Sequence, residues 1–198
     1  IVPAWTFDNV NGRFPIGFFI WNTQKKEKFS SITADIFDEA NSFLGTKTVV
    51  ATPKQTIKDW LRKYNDLENP IGWLVRGSVD VQNNRIVFIT SKPSASVLKA
   101  SNANMITAKN LIENCIFHSV RKVVPATWVN DRDQYVYPND GWEFDSAFQS
   151  DCVIYSLFAE SNVIKAEDGV NNWIPFTREE VGCKKTFKSH FMSDFLKT

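Results

Sequence analysis

The strongest constraint on this chain is an unbroken apolar run, Phe14-Pro15-Ile16-Gly17-Phe18-Phe19-Ile20-Trp21. A strand with one wet face alternates apolar and polar residues, so a run without polar interruption predicts a strand covered on both faces inside an α/β sheet. Ile1-Val2-Pro3-Ala4-Trp5 is a second apolar stretch. The two are joined by Asp8-Asn9-Val10-Asn11-Gly12-Arg13, whose Asn and Gly suit a turn or a close approach to a ligand. The first 21 residues therefore read as two strands and a loop belonging to a bigger sheet. The chain opens on apolar residues without a methionine, as the middle of a strand does, and the expectation is an excised fragment.

With 198 residues, 43% of them hydrophobic, the chain can bury a real core, and disorder is excluded. The 16 Phe and 7 Trp serve either as core or as stacking platforms for bases or sugars. A formal net charge of +1 leaves no global field to draw phosphates or anionic lipid, so any nucleic-acid contact has to be local. Cys115, Cys152 and Cys183 are odd in number and lack histidines at metal-ligand spacing, which argues against a disulfide framework and against a zinc site. No apolar run reaches the roughly 18 residues of a membrane span, and the first residues are not those of an export signal. The expectation is a cytoplasmic protein with no membrane partner.

Further along, Lys28 to Asp38 and Thr46 to Ala51 predict a hairpin around Gly45. Thr52-Pro53 carries a helix start, with Ile57, Trp60, Leu61 and Tyr64 on one face. Ile71 to Val75 and Arg85 to Thr90 suggest strands, and Ser91 to Asn104 a long loop. Leu111, Ile112, Cys115, Ile116, Ser119, Val120, Val123 and Val124 give an amphipathic helix that Pro125 stops. A second helix is expected from about Asp145 to Ala159, and a last one from Lys184 to Leu196 after the capping-box spacing of Thr177 to Glu180.

The stretch from Trp5 to Trp21 resembles the segment that lies late in the catalytic domain of restriction-modification adenine methyltransferases, after the methyl-transfer motif. A second resemblance to the same group runs through Arg121-Lys122-Val123-Val124-Pro125-Ala126-Thr127-Trp128, Asn130-Asp131-Arg132-Asp133-Gln134, Tyr137-Pro138-Asn139-Asp140-Gly141-Trp142 and Asn172-Trp173-Ile174-Pro175-Phe176. Together the two cover under half the chain. The resemblance implies the last strands of a methyltransferase-like α/β sheet over residues 1–24, followed over 25–198 by an α+β accessory region. It implies S-adenosylmethionine as the parent protein's cofactor, none being expected for the fragment. The implied partners are double-stranded DNA, an upstream catalytic domain of the same polypeptide and a restriction subunit.

In such enzymes an aromatic of the late loop stacks on the flipped-out target base, because an extruded base needs a flat apolar partner. By position that aromatic is Phe7, with Trp5 and Phe14 as neighbours able to take the role. Phe7 either stacks or packs under the loop. Asn9, Asn11 and Arg13 reach DNA or serve turn geometry. Arg121 and Lys122 are solvated surface or contact the DNA backbone, and Arg132 either faces DNA or belongs to a loop held by hydrogen bonds and ion pairs.

Two absences bear on catalysis. A cofactor pocket of this family needs an aromatic-x-Gly-x-Gly turn, and the methyl-transfer site an Asp or Asn followed by two prolines and an aromatic. Neither occurs in the sequence: Asn69-Pro70-Ile71-Gly72-Trp73 has one proline, falls after the Trp5 to Phe14 loop, and suits a turn. No catalytic residue is assigned. His118 lies three residues beyond Cys115, which permits a nucleophile pair but more simply places the histidine on a helix surface. Two rival readings remain. One is a non-catalytic DNA- or protein-binding module; the other is a carbohydrate-active or carbohydrate-binding domain built on Asp131, Asp133, Asp140 and Glu143 among aromatics.

Overall fold

The computed structural model describes residues 1–26, 28–51, 55–100 and 102–164, and these form an α+β fold with one mixed sheet and few helices. The chain groups into two compact units. One comprises Ile1–Lys54, Asp80–Gln82 and Ala126–Gln134, the other Gln55–Val79, Asn83–Pro125 and Tyr135–Thr198. The expected helix start at Thr52-Pro53, the last helix from Lys184 to Leu196, and Asn172 to Phe176 all lie outside the described residues.

In the first unit, β1 (Val2–Pro3) pairs antiparallel with β2 (Pro15–Ile16), joining the two apolar stretches as the sequence suggests. The strand does not extend to Trp21. Phe18, Phe19, Ile20 and Trp21 are exposed, Ile20 completely, which corrects the expectation of a strand covered on both faces. An apolar run requires cover, and within this unit nothing supplies it. The hairpin of β3 (Ser31–Phe37) and β4 (Phe43–Val50) follows.

Its turn lies at Asp38, not at Gly45. The Asp38 carboxylate accepts from the backbone N–H groups of Ala40 and Ser42, and Asn41 takes a positive φ of 62°. Gly45 sits inside β4 opposite Ile36, beside a register shift, at a φ of 144° that disfavours any other residue.

The second unit holds the core. Its sheet runs β7 (Ala103–Ile106), β5 (Gly72–Val75), β6 (Phe88–Thr90), β8 (Asn162–Val163), with β5 antiparallel to both neighbours and β6 parallel to β8. Three helices pack with it: α1 (Ile57–Arg62), α3 (Leu111–Val123) and α4 (Ser146–Phe158); a short α2 (Ala95–Lys99) precedes β7. Thr56 and Asp59 exchange side-chain and backbone hydrogen bonds as a capping box, so α1 starts at Ile57. Asp145 caps α4 by accepting from the Phe148 N–H.

Ile57, Leu61, Leu74, Val87, Ile116 and Phe117 are completely buried. Each contributes about 1.5–3 kcal/mol by leaving water. Helix α3 is buried on nearly every side from Asn114 to Ser119, and so carries polar groups into the core that each need partners. Asn114 accepts from Asn104 on β7 at 3.0 Å and donates to the Asn110 carbonyl at 2.8 Å.

Candidate functional site

The loop joining β1 to β2 begins as a 3-10 turn, Ala4–Thr6, and closes where the Ala4 N–H donates to the Phe14 carbonyl at 2.9 Å. Within it the Val10 N–H donates to the Phe7 carbonyl at 3.2 Å, making a four-residue turn whose third residue, Asn9, has a φ of 66°. Asparagine tolerates that left-handed backbone better than other residues with a Cβ. Gly12 is required for a different reason: a Cβ there would fall 2.1 Å from Cε1 of the Phe14 ring. The Asn and Gly of this loop thus set its shape, while the Asn9, Asn11 and Arg13 side chains stay exposed around it.

The three loop aromatics have different surroundings. Trp5 donates its indole N–H to Glu39 at 2.5 Å and meets Trp128 edge-on, with ring centroids 5.8 Å apart. Phe14 is half-buried and covered by the Arg132 guanidinium, 5.9 Å from its ring centre. Phe7 is 39% exposed, with its ring 6.0 Å from that of Phe18. Phe7 is therefore not packed under the loop, and its side chain is the least restrained of the three.

Trp128 and Arg132 come from the second resembling stretch, which this unit brings against the first. Between them, Asn130 accepts from the Thr127 backbone N–H at 2.7 Å, and Lys47 from β4 donates to the Val129 carbonyl at 2.6 Å and to both oxygens of Asp133. Arg132 also lies 3.5 Å from Asp131. Asn130 to Gln134 is thus a loop held by hydrogen bonds and ion pairs, the simpler of its two readings. Trp128, Glu39 and Phe18 were not among the residues singled out from sequence. Trp128 was legible only as part of a rare string, and Glu39 meets Trp5 through folding alone.

Other residues singled out from sequence lie in the second unit and away from solvent. Arg121 is fully buried, a correction to the expectation of solvated surface. Its Nε donates to Asn84 Oδ1 at 3.1 Å, its Nη1 to the Arg76 carbonyl at 3.3 Å, and its guanidinium lies 5.0 Å from the Tyr135 ring centre. Hydrogen bonds and an aromatic face replace the water it loses. Lys122 is half-buried, donating to the Asn84 carbonyl at 3.1 Å; burial and then the neighbouring Arg121 hold its ammonium below the usual lysine range.

His118 is also completely buried rather than on the helix surface. Its ring nitrogens lie 3.0 Å from Ser156 Oγ and 2.9 Å from Ser161 Oγ, and burial, then Lys122, depresses its pKa to about 3. Burial pushes the Cys115 thiol up to about 12. A thiol with that pKa next to an imidazole already engaged at both nitrogens is not an activated nucleophile. Of the carboxylates considered for sugar chemistry, Asp133 is bound to Lys47. A shallow groove beside α3 and α4, about 320 Å³ and lined by Ile112, Ser146, Gln149, Ser150, Val153 and Ile154, offers no acid–base pair.

Among the described residues no helix is long and apolar enough to cross a membrane. Comparison with protein-family models, with curated proteins and with solved structures gives no match.

Proposed function

We propose that this chain is the DNA-contacting portion of an S-adenosylmethionine-dependent DNA adenine methyltransferase of a restriction-modification system, with Phe7 as the side chain that stacks on the extruded base. One observation carries the reading. Of the three aromatics on the loop, Trp5 is held by Glu39 and Trp128 and Phe14 is covered by Arg132, which leaves Phe7 as the available platform. A flipped base loses its stacking in the duplex and regains about 1–3 kcal/mol on such a ring.

Asn9, Asn11 and Arg13 surround that ring as donors for phosphate or base edges. The exposed apolar side chains of Phe18, Phe19, Ile20 and Trp21 support the same reading, since a catalytic domain contributing the rest of a sheet would cover them. The cofactor and the methyl-transfer motif belong, in this proposal, to that domain.

The test uses duplexes carrying 2-aminopurine at an unpaired, extrahelical position. Wild-type chain quenches the fluorophore. Phe7→Ala abolishes the quenching and weakens binding by about 5- to 150-fold, the equivalent of one lost stacking contact. Trp5→Ala leaves quenching in place. Equal quenching by wild type and Phe7→Ala refutes the assignment.

A further inference from the structure

The second unit gathers cations on three elements. Lys58 and Arg62 lie four residues apart on α1, so their side chains share one face of the helix. Lys58 Nζ donates to Asn102 Oδ1 at 3.1 Å, while the Arg76 backbone N–H, at the end of β5, donates to the carbonyl of the same Asn102 at 2.8 Å. Asn102 thus draws the Lys58 ammonium toward Arg76, and the Arg76 carbonyl in turn accepts from Arg121 on α3. Arg76 is 5% exposed and Lys58 half-buried, whereas the Arg62 side chain is 58% exposed.

Like charges held together in partly desolvated surroundings repel one another, and the repulsion registers on each. Burial lowers the Lys58 pKa, and Arg76 and Arg62 lower it further; burial and then Arg62 lower that of Arg76. Asp59 offsets part of this, bonding Arg62 at 3.0 Å. A fold that concentrates cations at a graded depth, from a buried guanidinium outward to an exposed one, is suited to an anion that neutralises them together. Phosphate oxygens match, since guanidinium binds them in a fork and ammonium as a point charge.

We propose that Lys58, Arg62 and Arg76 form a binding site for the phosphodiester backbone of nucleic acid, separate in sequence from the aromatic loop. The site rests on the DNA reading above and adds to it a sequence-independent grip. Backbone contacts of this kind fix register on the duplex and carry no base information. They make affinity depend on salt.

The experiment measures affinity of the full chain for a 20-base-pair duplex of arbitrary sequence between 50 and 200 mM NaCl. For Lys58→Gln and Arg62→Gln, the slope of log K against log salt becomes shallower by about 0.9 for each cation removed. Binding at low salt weakens alike on every sequence tested. Arg62→Lys keeps the wild-type slope. Arg62→Gln is the safeguard against misfolding, because its side chain is exposed, and its urea midpoint is measured alongside.

Wild-type binding with an unchanged slope in both Gln variants overturns the phosphate site and leaves the base-stacking reading intact. Wild-type chain that fails to bind any duplex at 50 mM NaCl overturns both. Loss of 2-aminopurine quenching in Phe7→Ala, with an unchanged salt slope, separates the two sites.

Discussion

Lowering the pH tests the buried polar contacts between α3 and α4, because His118 is completely enclosed there and uncharged. In the unfolded chain its imidazole titrates near 6.5, while in the fold burial depresses the pKa to about 3. The unfolded state therefore binds the extra proton first. The contribution to stability is complete above pH 6.5 and is lost progressively as pH falls toward 3. At pH 5 the unfolded chain has gained about 1.5 pH units of protonation free energy that the fold refuses, which amounts to about 2 kcal/mol.

Urea unfolding of wild type and His118→Gln at pH 7.5 and pH 5 measures this. Gln keeps one donor and one acceptor for Ser156 and Ser161 but does not titrate. Wild type is expected to lose about 2 kcal/mol more than the variant over that interval. Glu113 acts in the opposite sense, its carboxyl raised by burial, but it is present in both proteins and cancels. An identical pH dependence in the two proteins, or an NMR titration of His118 near 6.5 in the folded state, refutes the reasoning.

Two further substitutions probe the corrected readings. Arg121→Met leaves Asn84 Oδ1 and the Arg76 carbonyl without their guanidinium donor and is expected to cost about 2–5 kcal/mol in urea unfolding, with Arg121→Lys failing to restore it; unchanged stability with weaker duplex binding would return Arg121 to the DNA surface. Lys47→Met removes the donor to Val129 and Asp133 and is expected to cost about 1–2 kcal/mol, against less than about 1 kcal/mol for Asp133→Asn, whose side chain is 46% exposed; the reverse order in urea unfolding would show that the ion pair, rather than the carbonyl contact, holds the loop.

Helices were legible where period and cap agreed. Asp145 followed by an apolar stripe places α4 within a residue of its observed start, and Pro125 marks the end of α3. The start of α1 was not, because two signals compete there: Thr52-Pro53 resembles a helix opening, but the reciprocal bonds of Thr56 and Asp59 set the observed one. The hairpin turn was misplaced because Gly45 is the more conspicuous turn residue, whereas the Asp38 carboxylate organises the turn through backbone contacts that composition does not reveal.

The segment from Ser91 to Asn104 looked like loop since Ser, Ala and Asn carry weak strand propensity. Asn104 enters β7 because its amide finds Asn114 inside the core. His118 and Arg121 were misread for a common reason. Helical periodicity assigns polar residues to water, and α3, enclosed on nearly every side, satisfies them internally.

For the aromatic loop, sequence supplied the candidates and folding ranked them. Phe7, Trp5 and Phe14 are equivalent as residue types, each offering a ring of adequate area. Their roles diverge through partners more than a hundred positions away, Trp128 against Trp5 and Arg132 over Phe14. Those partners are in turn fixed by Lys47, which holds the Val129 carbonyl and Asp133. A ring that must accept a base gains from neighbours already immobilised, since loop ordering at the moment of binding subtracts from affinity. The Trp5 and Phe14 contacts therefore serve the exposed Phe7 by holding the backbone on either side of it. It follows that Arg132→Ala, which touches neither Phe7 nor the turn from Phe7 to Val10, should act on base stacking only through the order of the loop.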